Sequence, residues 1–287
     1  MTHHIPVLDK KVLLAFENRT LRHVLDGTIG LAGHAGLILK AHPEIQTYVG
    51  LDRDPKALEF AKEKLPEKAE LKRADFSEMK ELFSPGTFDA ILLDIGVSSM
   101  QLDTPARGFS FSKEGPLDMR MDPDQDLTAE EIVNSWPEKE LARIFKEWGE
   151  EKKWRQAAKA IVEARRKKPI KTTLQLVEVV KPVLGKGWKI HPATLVFQAI
   201  RIAVNREIAV LQETLPHAIE LLAPGGRLAV ISFHSLEDRV VKNIFRDAAK
   251  EKRVVLITKK PWTADWDEVR GNPRARSAKL RVVQRCP

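Results

Sequence analysis

Four short clusters in the first hundred residues have the types and spacing that a ligand site needs. The first is Asp26-Gly27-Thr28-Ile29-Gly30-Leu31-Ala32-Gly33-His34. Its small residues let the backbone turn sharply and approach a ligand, and a helix that starts within it would offer free N–H groups to an anion. The second is Asp52, in Gly50-Leu51-Asp52-Arg53-Asp54, where an acid can accept hydrogen bonds from both hydroxyls of an adenosine ribose. Ala74-Asp75-Phe76 sets an aromatic ring where adenine would lie, and Leu93-Asp94-Ile95-Gly96 adds a further acid. Glycine-rich turns of this kind also serve nicotinamide and flavin enzymes, and some hold no ligand. A dinucleotide would need room for pyrophosphate and nicotinamide. The four clusters suit one adenosine with a short amino-acid tail, which favours S-adenosylmethionine.

Positioning these clusters requires strands that end together. Residues 21–26, 46–52, 69–75 and 88–94 read as strands, and 33–41 and 55–65 as helices between them, the second with Pro55 at its start. Such alternation predicts an open α/β sheet of parallel strands with right-handed crossovers. The next strand pattern, residues 227–233 after Pro224-Gly225-Gly226, comes more than a hundred residues later, where a crossover needs only a few tens. An insertion is therefore expected. It opens with loop signals (Pro105, Gly108, Gly115, Pro116, Pro123) and continues with helical ones: Thr128 followed by Glu131, then Pro137, a basic amphipathic stretch at 152–167, and 173–180. Helices at 194–222 and 236–252 and closing strands at 254–259 and 280–285 complete the pattern. The expected organisation is a discontinuous α/β domain of residues 1–103 and 206–287 with a small helical domain, 104–205, inserted.

Charge narrows the partner. The net charge is +8, and residues 239–287 hold 14 Lys and Arg against 5 Asp and Glu, so the basic surplus lies at one end. A polyanion such as nucleic acid fits that distribution. The single cysteine, Cys286, excludes an internal disulfide, a cysteine zinc site and a redox pair. No stretch approaches the roughly 20 apolar residues of a membrane helix, and the first residues lack the order of a signal peptide, so a cytoplasmic location is expected.

Longer segments carry a family resemblance: His4-Ile5-Pro6-Val7-Leu8, Asp26 to His34, Leu93 to Ser99 with Gln101, Arg107-Gly108-Phe109-Ser110-Phe111, and Gly115 to Met121. Trp148-Gly149-Glu150-Glu151, Phe197 to Ile202 with Val204-Asn205, Ser232 to Arg239 and Asn272 to Arg281 continue it. On these the chain resembles the RsmH (MraW) family of ribosomal RNA small-subunit methyltransferases. The resemblance implies a class I (Rossmann-like) methyltransferase sheet with an inserted helical domain. It also implies S-adenosylmethionine as cofactor and N4-methylation of a cytidine in the decoding region of 16S ribosomal RNA, without a metal. The family's cofactor contacts fall on Ala32, Gly33, His34, Asp52, Phe76, Asp94 and Gln101. The chain departs from the family in three places. Ala32-Gly33 stands where two glycines are usual, at little cost if the Ala32 backbone avoids positive φ. Lys10-Lys11 replaces an acidic pair, and Trp154-Arg155 stands where small residues are frequent.

Methyl transfer is an in-line displacement at an activated carbon, so the enzyme mainly aligns the nucleophile. C5 methylation of a pyrimidine would need a thiolate, for which Cys286 is badly placed, whereas an exocyclic amine needs only acceptors for its protons. Asp94, beside the backbone of Ile95-Gly96, is the candidate catalytic residue. Ser232, His234 and Asp238 follow a strand running into a helix and give no sign of a triad, and His234 reads equally as a helix cap. Residues 107–121 read equally as a mobile cover or a fixed connection. Residues 152–168 and 270–281 are candidate phosphate-contacting surfaces for small-subunit ribosomal RNA, probed best within the assembled subunit, with the target base extruded between sheet and insertion. Three rivals remain: a ribose 2′-hydroxyl methyltransferase, a catalytically silent assembly factor that binds the cofactor, and a nicotinamide-dependent reductase.

Overall fold

The computed structural model describes residues 5–185 and 191–287; His4 of the first family segment lies outside the described residues. The chain divides into two compact units, Met1–Gly96 with Ile208–Pro287, and Val97–Glu207. The second therefore begins at Val97, ahead of the expected 104, because Ser98 caps the short helix Ser99–Asp103 and both Val97 and Leu102 pack on that unit's core.

The first unit is built on strands β1 (His23–Asp26), β2 (Thr47–Asp52), β3 (Ala69–Arg73), β4 (Phe88–Asp94), β5 (Leu222–Ser232), β6 (Val254–Leu256), β7 (Trp262–Thr263) and β8 (Lys279–Arg285). Their order is β3-β2-β1-β4-β5-β8-β6, with β7 also paired to β8. β1 to β5 pair in parallel, and β8 runs antiparallel to its neighbours. Helices on both faces require strands that are apolar on both sides, and Ala90 to Leu93 of β4 are all buried. Alternate residues feed two separate cores: Val24, Ala90 and Leu92 face one, Leu25, Ile91 and Leu93 the other. After β3 the chain returns to the far side of β1 to form β4. The strand order thus reverses between β1 and β4, and the crevice at their carboxyl ends, marked by Asp26 and Asp94, is where an open α/β sheet binds its ligand.

One element differs from its sequence pattern. Pro224-Gly225-Gly226 does not precede β5 but lies inside it, and the pairing with β4 slips between Phe88 and Ala90 to absorb the extra residues. Gly225 takes φ +77°, and a Cβ on Gly226 would lie 2.8 Å from the Phe88 carbonyl oxygen, so both positions need glycine.

The second unit is helical: Ala129–Ser135, Glu138–Glu147, Trp154–Lys167, Thr173–Leu184 and Thr194–Asn205 surround a core that includes Leu141, Phe145, Ile161, Leu176, Phe197 and Ile200. Thr128 caps the first of these by accepting from Glu131 N. Residues 107–121 belong to this core and are not a mobile cover. Phe109, Leu117, Met119 and Met121 are buried, and the Arg107 guanidinium donates to the carbonyls of Arg120 and Met121. A Cβ on Gly115 would sit 1.9 Å from the Pro105 carbonyl oxygen, which shows how closely the loop packs on itself. Asn205 closes the loop onto its helix: Oδ1 accepts from Met121 N, and Nδ2 donates to the carbonyls of Met119 and Arg201. Among the described residues no helix is long and apolar enough to cross a membrane.

Asn205→Ala would take this partner from the Met121 N–H and the Met119 carbonyl, at a cost of about 2–4 kcal/mol. A chemical denaturation curve should show the loss in full, and an unchanged midpoint would show that the loop holds without it.

Candidate active site

The glycine turn begins where β1 ends. Gly27 passes so close to β4 that a Cβ would lie 2.5 Å from Leu93 Cδ2 and 3.1 Å from Phe76 Cβ, which brings the turn and Phe76 together. Gly30 takes φ +48°, and Ala32 takes φ +58° as N-cap of the helix Gly33–Ala41. Replacement of the family's usual glycine by Ala32 is therefore not cheap: a left-handed backbone costs an alanine about 1–2 kcal/mol. The turn tolerates this because Ala32 N donates to Ile29 O and Ala32 O accepts from Gly36 N.

Three strand-end carboxylates are tied to this turn. Asp26, buried, accepts from Thr28 N at 3.0 Å and from the Tyr48 hydroxyl at 3.1 Å. Thr28 Oγ1 accepts from Asp94 N at 2.6 Å and donates weakly to Asp26 at 3.5 Å, so the ends of β1 and β4 are joined through one hydroxyl. Asp52 accepts from Gly30 N at 3.0 Å and Asp54 N at 2.9 Å, one on each oxygen, which leaves lone pairs for ribose hydroxyls. Phe76 opens a 3₁₀ turn capped by Asp75, whose carboxylate also pairs with Arg53 at 3.1 Å. Burial pushes the Asp26 and Asp52 carboxyls up to about 6. Asp94 is raised further, to about 7, first by burial and then by the charge of Glu237. Its Oδ1 is buried with no hydrogen-bond partner among the described residues, while Oδ2 faces His34 Nδ1 at 3.5 Å. Three carboxyls poised near neutral pH on one edge make this the candidate site. An orphaned acceptor beside a glycine turn, a ribose-type acid and an aromatic ring fit a cationic adenosine cofactor.

The chain matches, over residues 1–286, the family described as the MraW methylase family. It belongs to this family. As a member of the MraW methylase family it is a methyltransferase. Relatives named Ribosomal RNA small subunit methyltransferase H include one from Protochlamydia amoebophila, 48% identical over 307 residues and covering 98% of this chain and 97% of its own. Another, from Persephonella marina, is 47% identical over 295 residues and covers 99% and 100%. A solved putative rRNA-methylase from Clostridium thermocellum is similar at 11% identity and TM-score 0.46, covering 98% and 99%, a likeness too loose to bear on the assignment.

Several MraW family segments prove to hold structure together. Gln101 lies in the second unit, 5% exposed, where its side chain closes a capping box with Ser98. Gln198 donates to the Trp148 carbonyl, and Arg201 grips Glu207 with two bonds of 2.8 Å. Ser232, His234 and Asp238 form no triad: His234 accepts from Glu237 N as a helix cap, and Asp238 pairs with Arg281 at 2.7 Å and Lys279 at 3.2 Å. The candidate phosphate surfaces shrink accordingly. Arg281 is only 7% exposed, Arg165 donates to the carbonyls of Val133 and Trp136, and Lys153 to those of Val183 and Leu184. Lys152, Arg166, Lys167, Lys168, Arg274 and Arg276 stay exposed. Sequence reasoning passed over Tyr48, Thr28 and Glu237. The one tyrosine of the chain in an apolar strand, and a glutamate three residues after a cap position, were the available signals.

The raised carboxyl of Asp94 has a consequence for stability. Between its unfolded value near 3.8 and its folded value near 7 the native state holds a proton that the unfolded state has released, so stability falls as pH rises through that interval. Asp94→Asn should be more stable than the parent by about 2–4 kcal/mol at pH 8, with the gain shrinking toward pH 5. Urea denaturation at the two pH values checks this, and a gain equal at both would contradict it.

Proposed function

We propose that this methyltransferase uses S-adenosylmethionine to methylate N4 of a cytidine in the decoding region of 16S ribosomal RNA, by direct in-line transfer to the exocyclic amine. The observation that carries the reading is the buried, unpartnered Asp94 Oδ1 at the switch point of the sheet. The relatives' name, ribosomal RNA small subunit methyltransferase H, supports the substrate.

Each residue then has a task. Asp52 receives the ribose hydroxyls, Phe76 lies against adenine, and the Ala32-Gly33-His34 segment presents the first-turn N–H groups of Gly33 and His34 to the carboxylate of the amino-acid tail, the Ala32 N–H being given to Ile29 O. Gln101 is included on the family's pattern. When bound, the cofactor supplies a methyl carbon already activated by the adjoining sulfonium. Asp94 holds the amine protons so that the nitrogen lone pair points at that carbon, an alignment role of the kind that dominates such displacements. Cys286 cannot assist as a thiolate. β8 runs antiparallel to β5, with Lys279 opposite Ser232 and Gln284 opposite Arg227, so Cys286 lies at the other end of the sheet from Asp94. The base must be unstacked to reach Asp94, which favours a folded subunit as substrate in the bacterial cytoplasm. The exposed Arg274 and Arg276 contact phosphate.

Incubation with labelled S-adenosylmethionine and unmodified small subunits, followed by nucleoside mass spectrometry, should yield N4-methylated cytidine. Asp94→Ala should bind cofactor yet leave the RNA unlabelled. Label on another atom would overturn the target, and full turnover of the variant would overturn the role of Asp94. Reversing Arg274 and Arg276 to Glu should weaken subunit binding roughly tenfold at low salt and flatten its salt dependence. Unchanged affinity in a filter-binding titration would remove this segment from the RNA surface.

A further inference from the structure

His34 reaches the site with its side chain as well as its backbone. Its Nε2 lies 2.8 Å from the Val7 carbonyl oxygen, which can only accept, so Nε2 carries the hydrogen. The neutral ring then holds its lone pair on Nδ1, the atom that faces Asp94 Oδ2 at 3.5 Å. Both partners are held in place. Val7 belongs to a segment pinned by bonds from Leu8 N to Glu268 and from Asn272 to the Ile5 carbonyl, and Asp94 is held through its N–H by Thr28. The His34 side chain is buried and that of Asp94 is 26% exposed; two acceptors facing each other at 3.5 Å without a proton repel, and the pair gains by taking one up.

We propose that His34 is the positioning residue that makes Asp94 a proton acceptor, the proton released by the target amine coming to rest between Asp94 Oδ2 and His34 Nδ1. This rests on the role given to Asp94 above. In the step, the amine lone pair forms the bond to the methyl carbon, the carbon–sulfur bond breaks, and its electron pair stays on sulfur. The methylated nitrogen gives its surplus proton to the Asp94 carboxylate. Rotation of the carboxyl group turns that proton toward Nδ1, Nε2–H stays on Val7, and the pair returns the proton to water as product leaves.

The surroundings favour this uptake. Asp26 from the end of β1, Asp9 from the helix Asp9–Phe16 and Glu268 from the helix Trp266–Gly271 all act on His34 in the direction of protonation. Glu237, from the helix Ser235–Lys250, does the same to Asp94. Burial acts against them on the ring, holding it below its ordinary value, so the ring is neutral and the shared proton stays on the Asp94 side of the pair.

His34→Gln separates the two ring nitrogens: its amide still donates to Val7, but nothing replaces Nδ1. The variant should bind S-adenosylhomocysteine in calorimetry much as the parent does. Its kcat should fall roughly 10- to 100-fold, with the acidic limb of the pH profile displaced. An unchanged kcat and profile would overturn the proposal. A second measurement needs no substrate: ¹⁵N NMR of the histidine ring should show the Nε2–H form with the lone pair on Nδ1. An Nδ1–H ring would equally overturn it. Because the NMR result is independent of turnover, failure of the parent to label subunits would count against the substrate alone.

Discussion

The structure depends on burying carboxylates at the ends of parallel strands. A strand covered by helices on both faces must be apolar where they cover it, and β4 is apolar and buried from Ala90 to Leu93, between Asp89, which accepts from Arg22 N and His23 N, and Asp94. At that point the chain leaves the sheet with a charge that has little water around it. The same happens at Asp26 and Asp52, and the result is three carboxyls near neutral pKa on one edge. Asp26 and Asp52 each accept from a backbone N–H of the glycine turn, Thr28 N and Gly30 N, so the turn and these acids define each other's position. Thr28 is the pivot, because one hydroxyl accepts from β4 and donates to β1.

That arrangement divides the work along the chain. The segments of the second unit most specific to the family serve mainly to hold its own loops: Asn205 secures 119–121, Gln198 secures Trp148, and Gln101 closes a helix cap. Basic residues are divided in the same way. Arg165, Arg107 and Lys153 satisfy carbonyl groups that helix ends and loops would otherwise leave bare, while the cations of 274–276 and 166–168 face solvent. A charge surplus counted along the sequence therefore overstates the surface offered to a polyanion.

Much of the sheet was legible because its signal is local. Apolar runs ending at Asp26, Asp52 and Asp94, helices between them, and a long gap before Arg227 suffice to infer a parallel sheet and an insertion. Ala32, Gly33, His34, Asp52, Phe76 and Asp94 could be named for the same reason. What could not be read depends on residues far apart in sequence or on backbone angles. The left-handed φ of Ala32 leaves no mark in a residue type that avoids it, and the packing of 107–121 is decided by Asn205, more than eighty residues on. The Pro224-Gly225-Gly226 bulge looked like a turn because glycine and proline signal both.

The strained Ala32 and the three carboxyls, Asp26 buried and Asp52 and Asp94 half-buried, lie together, and each makes the folded state less stable than it would be with glycine or an amide in the same place. Such costs persist where a ligand recovers them. A cationic cofactor set against Asp94 and hydroxyls set against Asp52 would restore part of the solvation these groups lost on folding, so binding and stability are linked through the same atoms. The fold supplies only the place where strands reverse. The poorly solvated acids at that place make it receptive to a cation and its adenosine.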